Sequence, residues 1–264
     1  MTERLKVYAV NCSILFTELP LLERPAAAKQ AGFDAVEFWW PWPVAVPGDA
    51  EIDEFVAAVT DAGVQLIGLN FAAGDMPGGD RGLVSWPARS GEFRDNVEVA
   101  VGIAERLGCR AFNALYGNRV EGVSAAEQDE LGAENLAIAA RAAKRIGGTV
   151  LVEPVSGAPR YPLLTAADAL AAVDRAGEDN LRLLLDVYHL SVNGDDVDAA
   201  IEGGRFGHVQ IADAPGRHQP GTGGLPIEQW IAKIAATGYD GRIALEYVPE
   251  GPSAESFGWL EGKR

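Results

Sequence analysis

The sequence contains few of the residues that build disulfide frameworks or zinc sites, with 2 cysteines and 3 histidines among 264 residues. Cys12 and Cys109 do not form a Cys-X-X-Cys pair, so we expect both to be reduced core residues. Basic residues are also scarce, since 22 Lys and Arg face 38 Asp and Glu. The net charge of -16 argues against a nucleic-acid partner and against attraction to an anionic membrane surface.

Long apolar runs are absent as well. No stretch reaches the roughly 18 apolar residues expected of a membrane span, and the first residues contain no apolar signal core. We therefore expect a cytoplasmic protein. Hydrophobic residues still make up 48% of the sequence, and no linker-like segment divides it, so a single domain over residues 1–264 is predicted.

Apolar, strand-like runs alternate with segments of helical period along the whole sequence. The predicted strands lie at residues 5–10, 34–38, 64–69, 110–115, 149–153, 181–186, 206–211 and 242–246. The predicted helices lie at residues 20–31, 51–62, 91–107, 125–146, 165–176, 197–203 and 227–237, with a last one from about Ser253. Strict alternation implies parallel strands, and eight units favour closure into a (β/α)8 TIM barrel over an open sheet.

Each of the last four predicted strands carries, at or near its end, a residue that can bind a hard metal ion. These residues are Glu153, Asp186, Gln210 and Glu246. In a (β/α)8 barrel the C-terminal ends of the strands build the active site. Three carboxylates and one amide oxygen suit Mg²⁺ or Mn²⁺, and a divalent ion keeps such crowded carboxylates charged. The pattern therefore predicts a metal site formed by these four residues.

The histidines lie in the same C-terminal stretch of the sequence. His189 follows Asp186 at a spacing that lets both side chains point into one site, so we expect His189 to bind the substrate. His208 shares strand parity with Gln210 two residues later. We interpret His208 as a structural residue or as one that orients a ligand.

Further residues of the predicted loops and strand ends are candidates for substrate contact. Arg217, after the seventh strand, is the best-placed cation for an anionic substrate, and Arg81, after the third, is a weaker candidate. Glu37 ends the second strand and is expected to hydrogen-bond a substrate hydroxyl or to orient His189. The tryptophans of residues 39–42 either form a wall of the pocket or pack in the loop.

Several segments, taken in order, resemble the hydroxypyruvate isomerase family within the xylose isomerase-like barrel superfamily. They are residues 11–18, 31–38, 73–75, 92–94, 151–154, 186–189, 207–213, 220–223 and 246–247. The resemblance implies Glu153, Asp186, Gln210 and Glu246 as metal ligands and the two glutamates as proton donor and acceptor. Related sugar epimerases tend to have histidine in place of Gln210. The family often carries a histidine before the match of Asn70, which this sequence lacks, and Asn70 itself is expected to bind substrate.

The residue types suit a carbonyl shift between adjacent carbons, which needs a base, an acid and stabilisation of an enediolate. The expected reaction is hydroxypyruvate to tartronate semialdehyde, with Mg²⁺ or Mn²⁺ as cofactor. The alternatives are a 2-oxo-tetronate isomerase, a ketose 3-epimerase and a non-catalytic barrel that binds sugar acids. The nuclease branch of the superfamily is disfavoured, because it requires several zinc-binding histidines and a basic surface. The expected partner is a small molecule, and homo-oligomerisation stays open.

Overall fold

Eight parallel strands form a closed barrel in which each strand pairs with the next and β8 pairs with β1. The computed structural model describes Leu5 and residues 7–261, so Lys6 of the first predicted strand and residues 1–4 and 262–264 of the predicted domain lie outside the described residues. The strands are β1 Tyr8–Asn11, β2 Ala35–Phe38, β3 Gln65–Asn70, β4 Ala111–Asn113, β5 Thr149–Val152, β6 Leu181–Asp186, β7 Phe206–Ile211 and β8 Ile243–Leu245. The predicted fold class is confirmed.

The helices between the strands surround the barrel. They are α1 Arg24–Gln30, α2 Asp49–Ala62, α3 Ser90–Leu107, α4 Ala125–Lys144, α5 Ala166–Ala176, α6 Val187–Val192, α7 Val197–Glu202 and α8 Ile227–Ala236. Short 3-10 segments occupy Leu21–Glu23, Pro87–Arg89, Ser253–Glu255 and Gly258–Glu261. No helix in the described part of the chain is long and apolar enough to cross a membrane.

The strands are buried on both faces, which explains their nearly continuous apolar sequence. Every residue of β1, β2 and β8 is buried, because helices cover one face and the barrel interior the other. Helix α2 ends at Gly63, which adopts the left-handed conformation with φ 65° and turns the chain into β3. Glycine at this position is favoured because a side chain would strain that conformation.

Three helical regions of the structure differ from the prediction. The first begins as the 3-10 segment Leu21–Glu23 before α1, and the helix predicted from Ser253 is replaced by two short 3-10 segments. Helix α6 was not predicted, because it begins directly after β6 without an intervening loop. Its N-cap is Asp186, whose side chain accepts hydrogen bonds from the backbone N–H groups of Tyr188 and His189.

Candidate active site

All eight strands place a polar residue at or next to their C-terminal ends. These residues are Asn11, Glu37, Asn70, Asn113, Glu153, Asp186, Gln210 and Glu246, and all are buried. Because the strands are parallel and the barrel is closed, the eight side chains belong to one end of the barrel. This is the end at which (β/α)8 barrels carry their active sites.

A cavity of about 810 Å³ opens at this end of the barrel. Six residues predicted as candidates for the site line it, namely Asn70, Arg81, Glu153, His189, Arg217 and Glu246. The tryptophans of residues 39–42 also line the cavity, which favours the interpretation that they form its wall. The cavity is large enough for a small organic substrate together with a bound ion.

Glu153, Asp186 and His189 form a compact buried group. The Nε2 atom of His189 lies 3.8 Å from Glu153 Oε1 and 3.6 Å from Asp186 Oδ2. Asn113 on β4 donates a hydrogen bond of 2.6 Å to the other oxygen of Glu153. Helix α6 brings Asp186 and His189 together, since residues three apart in a helix lie on the same face.

The hydrogen bonds of His189 define which ring nitrogen carries its proton. The backbone N–H of Ser156 donates to Nδ1 at 3.0 Å, so Nδ1 accepts. Burial lowers the pKa of His189 to about 4, and the imidazole is therefore neutral with its proton on Nε2. A protonated ring nitrogen cannot bind a metal ion. We therefore interpret His189 as a hydrogen-bond donor toward the carboxylates or the substrate.

Glu246 is held by three side chains from other parts of the barrel. Arg217 donates to Glu246 Oε2 at 2.8 Å, while Trp39 and Asn11 donate to Oε1 at 2.5 Å and 3.1 Å. The same Arg217 nitrogen lies 3.4 Å from Asp186 Oδ2. Arg217 therefore links two of the predicted metal ligands.

Glu37 accepts hydrogen bonds from Asn11 at 2.8 Å, from Gln210 at 2.7 Å and from His208 at 2.6 Å. The prediction that Glu37 orients His189 is wrong, because His189 bonds to Ser156 and the Glu37 carboxylate is occupied by these donors. Glu37 is not among the residues that line the cavity. His208 contacts Glu37, and its role in orienting other side chains stays a prediction.

The carboxylates lie in an environment that disfavours three negative charges. Burial, followed by repulsion from Asp186, raises the pKa of Glu153 to about 8. Burial also raises the pKa of Glu246 well above its usual range, although Arg217 opposes this shift. A divalent cation bound among these groups would favour their charged forms.

Carboxylate oxygens of Glu153 and Asp186 lie within 4.8 Å of each other, close enough to share a divalent ion. Gln210 lies in register with Asp186 across the β6–β7 pair. Its Nε2 group is held by Glu37, whereas its Oε1 atom is buried and has no hydrogen-bond partner in the described part of the chain. A buried oxygen without a partner is costly unless a ligand satisfies it. Together with the carboxylates, it makes the oxygen-rich donor set that Mg²⁺ and Mn²⁺ prefer.

Several residues of this site were not predicted from the sequence. Asn11 and Asn113 carry the same signal as the predicted ligands, a polar residue at the end of a buried strand, and applying that rule to all eight strands would have found them. Asp213 is different. Its buried carboxylate accepts hydrogen bonds from the backbone N–H groups of Ala214, Gly221, Gly223 and Leu225. It thereby fixes the loop that carries Arg217, and the many glycines after it were the available signal.

The barrel and its buried carboxylates define a class of enzymes that work at the C-terminal ends of parallel strands. A family model described as Xylose isomerase-like TIM barrel matches residues 25–263, and the chain belongs to this family.

Three relatives are similar to this protein over nearly the whole chain. A Streptomyces coelicolor protein provisionally named hydroxypyruvate isomerase is 56% identical, over 96% of this chain and 95% of the relative. The Escherichia coli hydroxypyruvate isomerase is 31% identical, over 97% of this chain and 99% of that relative. A 2-oxo-tetronate isomerase of Cupriavidus necator is 33% identical, over 96% of this chain and 97% of that relative. The predicted resemblance and the prediction of an isomerase-type enzyme are confirmed.

A solved structure is similar to the barrel as a whole. A crystal structure from Brucella melitensis, described as an AP endonuclease of family 2, has a TM-score of 0.88 and 33% identity, with 98% of this chain and 99% of that chain covered. This similarity covers nearly the whole chain and confirms the barrel fold.

Proposed function

We propose that this protein is a metal-dependent isomerase of small 2-keto acids and that its main reaction converts hydroxypyruvate to tartronate semialdehyde. The names of the relatives support the class of substrate. The single observation that carries the chemistry is the pair Glu153 and Glu246. Both carboxylates line the same cavity, they come from opposite sides of the last four strands, and each is held by separate partners.

In the proposed reaction the two glutamates move the proton that a carbonyl shift requires. One removes a proton from the hydroxyl-bearing carbon beside the carbonyl, the other returns a proton to the former carbonyl carbon, and the hydroxyl proton passes to the former carbonyl oxygen. Asn113 holds Glu153, and Arg217 with Trp39 holds Glu246, so neither carboxylate has to reorient during the reaction. Asn70, His189 and Arg217 line the cavity and are placed to contact substrate oxygens.

We infer that Glu153, Asp186, Gln210 and Glu246 hold the metal ion, with Mg²⁺ or Mn²⁺ as the suitable ions. When bound, such an ion supplies positive charge that polarises the substrate carbonyl. Glu37 takes part as a positioning residue, since it accepts the N–H of Gln210 and leaves the Gln210 carbonyl oxygen available.

A 2-oxo-tetronate isomerase is the second candidate, favoured by the relative of that name and by a cavity with room for a fourth carbon. An AP endonuclease activity is not proposed. The net charge of -16 would repel a DNA backbone, and among the described residues one histidine approaches the carboxylates of Glu153 and Asp186.

Proton NMR tests the proposal directly. The purified protein with Mn²⁺ or Mg²⁺ is incubated separately with hydroxypyruvate, 2-oxo-tetronates and free ketoses, and the conversion of each is followed. We expect turnover of hydroxypyruvate as the fastest reaction. Faster turnover of a 2-oxo-tetronate would assign the second candidate, and epimerisation of ketoses without keto-acid turnover would refute the proposal.

A further inference from the structure

Two arginines line the cavity, and they differ in how their charge is used. Arg217 is committed to carboxylates of the protein, with Glu246 at 2.8 Å and Asp186 at 3.4 Å. Its Nε also donates to the backbone oxygen of Glu246, and its guanidinium lies over the ring of Tyr188. Its positive charge is therefore largely neutralised before any substrate enters the cavity.

Arg81, in the loop after β3, has no such partner. Its Nη1 donates to the backbone oxygens of Met76 at 2.9 Å and Asp80 at 2.6 Å, which carry no net charge. In the described part of the chain no carboxylate lies within 4.0 Å of Arg81, and its Nε and Nη2 groups have no acceptor. A half-buried guanidinium with three free N–H donors is suited to bind an anion.

Two carboxylates that follow or precede Arg81 in the sequence pair with another arginine. Arg89 lies 3.0 Å from Asp80 and 2.6 Å from Glu92. Asp80 also accepts a hydrogen bond from the backbone of Asp75. Arg89 thus neutralises Asp80 and Glu92, and the third acid of this region, Asp75, accepts the backbone N–H of Gly78 and forms no ion pair with Arg81, so the charge of Arg81 remains available to a ligand in the cavity.

The loop is also fixed in place, which is required of a binding residue. The backbone oxygen of Arg81 accepts from the N–H of Gly117, and the N–H of Gly82 binds Ala73. Gly82 has a φ of 111°, and a side-chain Cβ there would lie 1.8 Å from the backbone oxygen of Leu115. The loop therefore packs so closely on the segment after β4 that Arg81 is presented from a rigid support.

We propose that Arg81 binds the carboxylate of the substrate and so determines the preference for keto acids. This inference rests on the proposed function, in which a 2-keto acid carries its carbonyl and hydroxyl groups at Glu153 and Glu246. The carboxylate at the other end of the molecule then needs a cation that the protein's own acids have not neutralised. Arg81 meets this requirement, whereas Arg217 does not.

Calorimetric titration with tartronate tests the proposal, because this dicarboxylate resembles the substrate but has no carbonyl to isomerise. The proteins are the wild type, Arg81→Met, Arg81→Lys and the control Arg106→Met, all with Mg²⁺. Arg106 is an exposed arginine of α3 that pairs with Asp53 outside the cavity. We expect roughly 10- to 100-fold weaker binding in R81M, a smaller loss in R81K and no change in R106M. Binding to R81M as tight as to R106M, or no binding to the wild type, would overturn the proposal.

Kinetics separate substrate binding from a purely structural role. In R81M the KM for hydroxypyruvate should rise while kcat is largely kept, because the carboxylate contact is the same in the ground state and the transition state. In Arg81→Ala, added millimolar guanidinium should restore part of the activity, whereas a merely structural defect would not respond. Arginine-dependent tartronate binding without keto-acid turnover by the wild type would refute the proposed function but leave the carboxylate site intact.

Discussion

The strands of the two halves of the barrel end in different types of polar side chain. Strands β1 to β4 end mainly in amides, Asn11, Asn70 and Asn113, with Glu37 among them. Strands β5 to β8 end mainly in carboxylates, with Gln210 among them. Hydrogen bonds join the halves: Asn113 binds Glu153, Asn11 binds Glu246, and Glu37 binds Gln210.

This difference agrees with separate tasks for the two halves in the proposed mechanism. Amides keep the same charge at any pH and can donate to a carboxylate, so the first half orients groups without competing for a cation. The carboxylates of the second half can bind an ion and move protons. Glu37 is the one acid in the first half and Gln210 the one amide in the second. The two are hydrogen-bonded to each other, since Gln210 donates to Glu37. Substitutions in the two halves should therefore have different effects on activity and stability.

The largest effect is expected in the second half. Glu153→Gln and Glu246→Gln should each lower kcat by about 100- to 10,000-fold, because in the proposed mechanism each removes a group that transfers a proton. The exposed Glu134 of α4 provides the control Glu134→Gln. Circular dichroism checks that the variants fold, and steady-state kinetics gives the rates. Near-normal kcat in either active-site variant would contradict the two-glutamate mechanism.

A smaller effect is expected in the first half. Asn113→Ala removes a donor that orients Glu153 but no group that reacts, so kcat should fall roughly 10-fold. The control is Asn180→Ala, because the Asn180 amide likewise donates hydrogen bonds within the fold, but to the backbone oxygens of Ala140 and Gly148. Both variants should lose stability in urea unfolding, and kcat should fall in N113A alone. Equal kcat in N113A and N180A would show that the amide only stabilises the fold.

The smallest effect concerns stability against pH in the metal-free protein. The pKa of Glu153 rises from 4.5 to about 8 on burial, so the folded state binds more protons than the unfolded state between these values. Stability should therefore fall as pH rises from about 5 to 8, and thermal unfolding measures this. Glu153→Gln should weaken the dependence, and added Mg²⁺ or Mn²⁺ should stabilise the wild type more at pH 8 than at pH 6. Identical pH profiles for wild type and variant would contradict this account.

The barrel and the second half of its site were predictable, because buried strands and polar strand ends are local patterns in the sequence. The contacts between the site residues were not. Arg217 lies 31 residues after Asp186 and 29 before Glu246, and its position depends on a loop held by Asp213. Helix α6 follows β6 directly, so no loop signal separated them. Such features depend on tertiary hydrogen bonds between residues far apart in the sequence, which local sequence patterns do not reveal.

Hydrogen exchange at carbon 3 of hydroxypyruvate in deuterated buffer tests the central claim that Glu153 and Glu246 act on adjacent carbons. NMR follows exchange and product formation in the wild type, Glu153→Gln and Glu246→Gln. The account predicts that both variants lose product formation and that one of them, lacking the residue that returns the proton to carbon 2, still exchanges the carbon 3 hydrogen. Product formation at the wild-type rate in either variant would contradict it.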